Sequence, residues 1–103
     1  MIIVTTDFIP GKNVQALGVC EGATVQTKHF GRDFMAGLKN LVGGEITSYT
    51  EMMNEARAIA KNRMLAQAQQ YGADAVVGFR YMSSEVAQGA AEVVAYGTAV
   101  KFV

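Results

Sequence analysis

"SYTEMMNEARAIAKNRMLAQAQQYG", residues 48–72, decides the fold. Tyr49, Met52, Met53, Ala56, Ile59, Ala60, Met64, Ala68 and Tyr71 recur at helical spacing and are expected to form the buried apolar stripe of a helix. Ser48 followed by Glu51 has the spacing of a capping box, in which the serine oxygen takes an orphan N–H and the glutamate reaches back. Glu51 and Glu55 stand near the positive end of the helix dipole, with Arg57, Lys61 and Arg63 further along. Gly72 follows where a left-handed residue ends a helix. The stretch predicts a helix over 49–71.

Outward from that helix the chain reads as strands and one further helix. "MIIVTT" (1–6) is short and β-branched, and Pro10-Gly11 marks a turn. "VQALGVCEGATVQT" (14–27) predicts a long strand, bent where Gly18 or Gly22 relieves the pleat. Phe34, Leu38, Leu41 and Val42 fall at i, i+4, i+7 and i+8, which predicts a first helix. "ADAVVGFRYM" (73–82) and "AAEVVAYGTAVKFV" (90–103) predict two closing strands, joined by "SSEVAQG" as a loose hairpin tip. The order is β-β-α-α-β-β in one domain over 1–103: an α+β fold with helices on one face of an antiparallel sheet.

The last strands carry an oddity. Val93, Ala95, Ala99 and Val103 point one way, while Val94, Tyr96, Val100 and Phe102 point the other, and Val76 and Val77 also serve both faces. A sheet with one solvated face would alternate with polar residues. Helices cover one face only, so another copy of the chain is expected on the second face or the edges.

Composition narrows the function classes. The chain has 103 residues, 50% of them hydrophobic and 17% charged, which is ordinary globular composition. Nine basic residues balance nine acidic ones and are scattered among them, which disfavours a nucleic-acid partner. The single cysteine, Cys20, forms no intrachain disulfide. The N-terminus has no basic region ahead of its short apolar run, and no apolar stretch nears the roughly 20 residues of a membrane span. A cytoplasmic protein with neither membrane nor nucleic-acid partner is expected.

The segments "GRDFMAGLKNLVGGEITSYTEMMNEAR" (31–57), "QAQQYGADAVVGFRY" (67–81) and "YGTAVKF" (96–102) resemble the YbjQ family. The resemblance extends over nearly the whole chain, from "MIIVTT" onward. These small bacterial and archaeal proteins have no established reaction and are often labelled heavy-metal-binding. The resemblance implies a subunit similar to those of dodecins, a ring-like homo-oligomer, a pentamer, and a divalent or soft metal ion as ligand.

Soft-metal sites need several Cys, His or Met ligands that converge. Cys20 and His29 are the candidates, nine positions apart and outside the motifs of the resemblance. One ligand per subunit could be multiplied by ring symmetry. Met35, Met52, Met53, Met64 and Met82 offer thioethers for copper(I), but those on the helix stripe read as core packing. "GGEITS" (43–48) has the glycines and helix start of a phosphate loop, yet it lacks the lysine and places Glu45 where an anion would be repelled. Gly43-Gly44 therefore reads as a bend, with Ser48 at the helix start left as a place for a small anion. Asp74 reads as a turn residue, and Ser83-Ser84 with His29 makes no argued triad. Tyr49, Tyr71, Tyr81 and Tyr96 read as core or interface, or as walls of a pocket between subunits. The expected function is a non-catalytic homo-oligomer that binds a metal ion or small ligand, with Arg32, Asp33, Ser48 and Tyr49 as candidate binding residues. The alternatives are an enzyme whose site forms between subunits from Arg32, Asp33 and Tyr49, and a structural or partner-binding ring.

Overall fold

A Cβ added to Gly22 would lie inside the van der Waals envelope of Met64 N and Ala60 O, and 2.7 Å from Arg63 Cβ. That close approach of strand to helix organises the structure, a computed structural model that describes residues 1–27 and 47–103. Four strands and a helix make up the described fold: β1 (Ile2–Ile3), β2 (Val14–Thr27), α1 (Thr47–Gln70), β3 (Ala75–Ala87) and β4 (Ala90–Phe102). The expected first helix at 34–42 and the Gly43-Gly44 bend lie outside the described residues.

Helix α1 lies against the sheet through Met52, Ala56, Ala60, Met64 and Ala68, an i+4 series of buried residues that is mostly alanine. The small side chains of this series let the two backbones meet where Gly22 lies against Ala60 and Met64. Around them Cys20, Val76, Val93, Ala95 and Ala99 complete the main core. The helix ends as Gly72 predicts. Gly72 has φ 74, and its N–H donates to Gln69 O at 2.9 Å while Ala73 N donates to Ala68 O at 3.1 Å, the bonding expected of a Schellman-type end. At the other end the helix already includes Ser48, so the serine falls inside the first turn rather than at the expected cap position. Arg57, Lys61 and Arg63 lie mid-helix, and the last turn holds no basic residue, so they do not compensate the dipole as expected.

The sheet runs β1-β3-β4-β2 and is mixed, which corrects the expected all-antiparallel sheet. β2–β4 and β3–β4 are antiparallel, but β1 is parallel to β3. The reason is the route of the chain. β1 sits at the edge opposite β2, so residues 4–13 must cross the sheet to begin β2. The chain first runs on beside β3, with Val4 N donating to Val76 O, Phe79 N to Val4 O and Gly78 N to Thr6 O. It then turns at Pro10-Gly11, where Gly11 has φ 78 and Lys12 N donates to Ile9 O at 3.1 Å.

This crossing answers part of the two-faced strand problem. Ile9, Ala75, Val77 and Val100 form a second small core, with Val4, Val14 and Phe102 packed against it. The chain itself therefore covers the end of the second face that carries Val100. Asp74 serves the same end: its Oδ2 accepts from Phe102 N at 2.9 Å, and its own N–H donates to Val100 O at 2.8 Å. It ties β4 to the start of β3 across the sheet, a longer-range role than the local turn bond expected.

The distal half extends beyond the boundary that the sequence predicts. β3 continues through "SSEVA", a loop by its composition, to a two-residue turn at Gln88-Gly89. Register with β4 holds to Ala87↔Ala90, and Gly89, φ 78, supplies the backbone the turn requires. Ser83 and Ser84 thus extend a ladder whose partner strand is strongly β-forming. In β2 the irregularity lies between Ala16 and Gly18, at the first of the two glycines expected to bend it, while Gly22 admits the helix instead. The described residues form an elongated body, 55 × 25 × 17 Å with a radius of gyration of 17.2 Å.

Two glycines separate packing from backbone conformation. Gly22→Ala puts a methyl group against backbone atoms that cannot swing away and is expected to cost at least about 2–3 kcal/mol. Gly72→Ala has open space around its Cβ and is expected to cost only about 1–2 kcal/mol, for the positive φ alone. Urea denaturation of both variants checks the order; equal costs would contradict the close helix–strand contact.

Candidate functional site

The helix presents a different set of side chains on each flank. Toward β2, Arg63, Gln67 and Tyr71 follow one another at i, i+4 and i+8 and reach the outer backbone edge of the strand. Arg63 Nη1 donates to Ala23 O at 2.7 Å, Glu21 N donates to Gln67 Oε1 at 2.6 Å, and Tyr71 Oη donates to Val19 O at 3.1 Å. An open strand edge is a template for unwanted pairing, and here side chains occupy its middle. Tyr71 thereby has a structural role, and its ring also lies 3.6 Å from where a Cβ of Gly18 would be.

Toward β1 and β3 the opposite flank opens a groove of about 590 Å³, lined by Asn54, Arg57, Ala58, Lys61, Asn62 and Leu65 from α1, by Ile3 and Tyr81 from the strands and by Met1 ahead of β1. It exists because α1 lies over β2 and β4 and, among the described residues, leaves β3 largely uncovered. Ile3 and Leu65 pack against the main core from its floor, and the Tyr81 ring is fixed edge-on to Phe79, with centroids 4.8 Å apart. Arg57 Nη2 donates to Asn54 Oδ1, which orients the guanidinium along the helix. No acidic side chain is among its described lining residues.

The pattern is legible in the sequence in hindsight. Arg57 and Lys61 are four apart, and the helix positions three and four residues from each carry Met53, Asn54, Ala58, Ala60, Met64 and Leu65 but no acid. Like charges at i, i+4 destabilise a helix by about 0.2–0.5 kcal/mol. An unbalanced cationic pair over an apolar floor is the signal that a dipole reading passes over.

The residues singled out from sequence do not converge here. Arg32, Asp33, His29 and Met35 lie outside the described residues, as does the side chain of Ser48. Tyr49, 36% exposed, sits in the first turn of α1 and does not line the groove. Cys20 is fully buried beneath the helix in the main core with Met64, a residue about 22 Å along the helix axis from Tyr49 at 1.5 Å per residue. Its Sγ approaches Gly97 O at 3.6 Å, and burial pushes the thiol pKa up, whereas a metal-binding cysteine is held as thiolate. Met52 and Met64 are buried core residues, as their place on the stripe implies. Among the described residues no three His, Cys, Asp or Glu side chains come together to hold a metal ion. Also among them, no helix is long and apolar enough to cross a membrane.

Known proteins place the chain in a family. Residues 1–103 match the YbjQ family, whose description reads "Putative heavy-metal-binding". A UPF0145 protein of Clostridium novyi is 57% identical over 101 residues, covering 98% of each chain. One from Thermotoga maritima is 58% identical over 102 residues, covering 98% of this chain and 96% of its own. A crystal structure of a DUF74-family protein of unknown function from Pediococcus pentosaceus superposes with a TM-score of 0.66 at 18% identity, covering 100% of this chain and 98% of that one; at that identity the likeness concerns the fold. The chain belongs to the YbjQ family.

The family description directs attention to Cys20, and the buried thiol yields a clear expectation. In the native protein it is expected to resist a maleimide reagent at neutral pH and to react only on unfolding. Its folded pKa is raised, so the stability tied to the neutral thiol is complete below the unfolded value of about 8.5 and is lost as pH rises toward the folded value. Urea unfolding at neutral and alkaline pH, with Cys20→Ala as reference, is expected to show a steeper alkaline loss in the wild type. Rapid native labelling would contradict the burial.

Proposed function

We propose that this YbjQ-family chain is a non-catalytic subunit of a cytoplasmic homo-oligomer that binds a small ligand. The observation that carries the assembly is the distal half of the sheet, which the described residues leave uncovered. Cross-strand partners share a face. The register Val19↔Thr98, Val25↔Glu92 and Met82↔Val94 therefore sets these pairs on the face away from α1. Val19, Val25 and Met82 are 64%, 52% and 54% exposed there, with Val94 and Tyr96 half-buried between them. The crossing segment 4–13 protects only the other end. On the same half, β3 runs beyond its two-residue pairing with β1 at Ala75 and Val76. Its edge from Arg80 to Ala87 has no strand partner among the described residues. The exposed Val19, Val25 and Met82, which share this face with Glu21, Arg80 and Glu92, and the open edge together are what a second copy of the chain would cover.

The dodecin-like ring and the pentamer that the resemblance implies require a heterologous contact, in which two different surfaces of the chain meet. A projecting β3–β4 hairpin laid on the next copy's open face is a contact of that type. The half-buried Tyr96 then stands where subunits would meet. For a heavy metal the described residues offer one buried neutral thiol and no converging ligands, so no step is assigned to a metal. The interfacial enzyme reading depends on Arg32 and Asp33, outside the described residues, and gains no support from Tyr49.

Sedimentation velocity tests the assembly. Wild-type protein is expected to sediment as a discrete multimer. Val94→Asp and Met82→Glu are expected to shift it toward the monomer while far-ultraviolet circular dichroism keeps its helical signal. A wild type that sediments as a monomer at micromolar concentration sinks the proposal. Val100→Asp, by contrast, strikes the second core and is expected to unfold the chain.

A further inference from the structure

We propose that the groove between α1 and the β1–β3 edge binds an organic phosphate monoester, with its dianionic head on Arg57 and Lys61 and its carbon body over Ile3, Leu65 and the Tyr81 ring. The inference rests on the reading of the chain as a small-ligand binding protein, and does not require that it assemble.

Three independent features meet in this one place. The first is charge. Two cations one helical turn apart face a groove whose described lining holds no carboxylate, and neither has an acid three or four residues away on the helix. Such a pair repels itself until an anion lies between. A phosphate monoester, mostly dianionic at neutral pH, matches two positive charges, and the planar guanidinium of Arg57 can bind it through two N–H groups. The second is neutral donor capacity. Asn54 and Asn62 carry amides along the groove and Tyr81 carries a phenol on its far wall. The third is shape. About 590 Å³ above an apolar floor exceeds what a bare phosphate fills and lies within the size range of small-molecule sites.

The same chemistry argues against a heavy-metal cation at this position. Arg57 and Lys61 repel a cation, and the groove's described lining offers it no Cys, His, Asp or Glu.

The test is a titration of the full chain with phenyl phosphate, followed by two-dimensional amide NMR, with inorganic phosphate and phenol as controls and sedimentation run on the same samples. Saturable shifts are expected at residues 54–65 and 81, weakening as salt rises. The double variant Arg57→Gln/Lys61→Gln is expected to lose at least tenfold in affinity. Its melting temperature without ligand is expected to stay the same or rise slightly, because the repulsion is gone. Tyr81→Phe, which keeps the ring against Phe79, is expected to weaken binding severalfold and guards against misfolding of the double variant. Undiminished binding by the double variant overturns the site, as do shifts confined to other residues. Inorganic phosphate or phenol binding as tightly as phenyl phosphate overturns the monoester assignment. No binding by a multimeric wild type removes the phosphate site and leaves assembly standing, whereas binding by a monomer does the reverse.

Discussion

The contact between Gly22 and the backbone of α1 at Ala60 and Met64 is the constraint from which the other features follow. A helix this close to a strand needs small residues on both sides, and Gly22 on the strand with the buried alanines at 56, 60 and 68 on the helix supply them. Close approach lowers α1 onto β2 far enough for Arg63, Gln67 and Tyr71 to reach past it to the strand's outer edge. It also seals Cys20 beneath the helix. With α1 drawn toward β2, the described residues leave the opposite side of the sheet open, and the groove at β3 is the consequence. One glycine thus decides which edge is protected, which thiol is silenced and where a cavity can exist.

Some of this is legible in the sequence and the rest is not, for physical reasons. Helix α1 is legible because its apolar residues recur at helical spacing and are buried from Met52 to Ala68, although the ends of the stripe, Tyr49 and Tyr71, are exposed. Its end is marked by Gly72, a local signal whose bonds close within the last turn. The two-sided strands are legible as a problem, since neighbours such as Ala99 and Val100 cannot both face one helix. Ala99 meets the helix in the main core, and Val100 turns away from it into the second core. Part of that problem is resolved by the crossing of residues 4–13. No local pattern encodes it, because it follows from β1 joining the sheet at the edge far from β2. The parallel pairing of β1 has the same origin: a short apolar strand carries no mark of direction. "SSEVA" reads as a loop because most of its side chains are small or polar, yet its partner strand decides its conformation.

The candidate site is the least legible part. Readings from composition look for residue types that are rare, and so settle on the lone cysteine and the lone histidine. The groove is made of common residues whose meaning lies in what is missing around them. Arg57 and Lys61 look like ordinary surface charges of a helix until the structure sets them on the flank that faces Ile3 and Tyr81 rather than open solvent. Only the tertiary placement of α1 separates that flank from the one carrying Arg63, whose guanidinium is occupied by Ala23 O.

Burial and charge then bear on the family description from two directions. A soft metal needs thiolate or imidazole ligands that converge, and the one cysteine is kept as a thiol in a core that must stay close-packed for α1 to lie where it does. To bring Cys20 out to a metal would mean lifting the helix from Gly22, at the expense of the contact on which the fold depends. The accessible chemistry among the described residues instead has positive charge beside apolar surface. In this chain the helix that buries the soft ligand is the same helix that displays the cations, so the packing that disfavours a metal at Cys20 favours an anion at the groove.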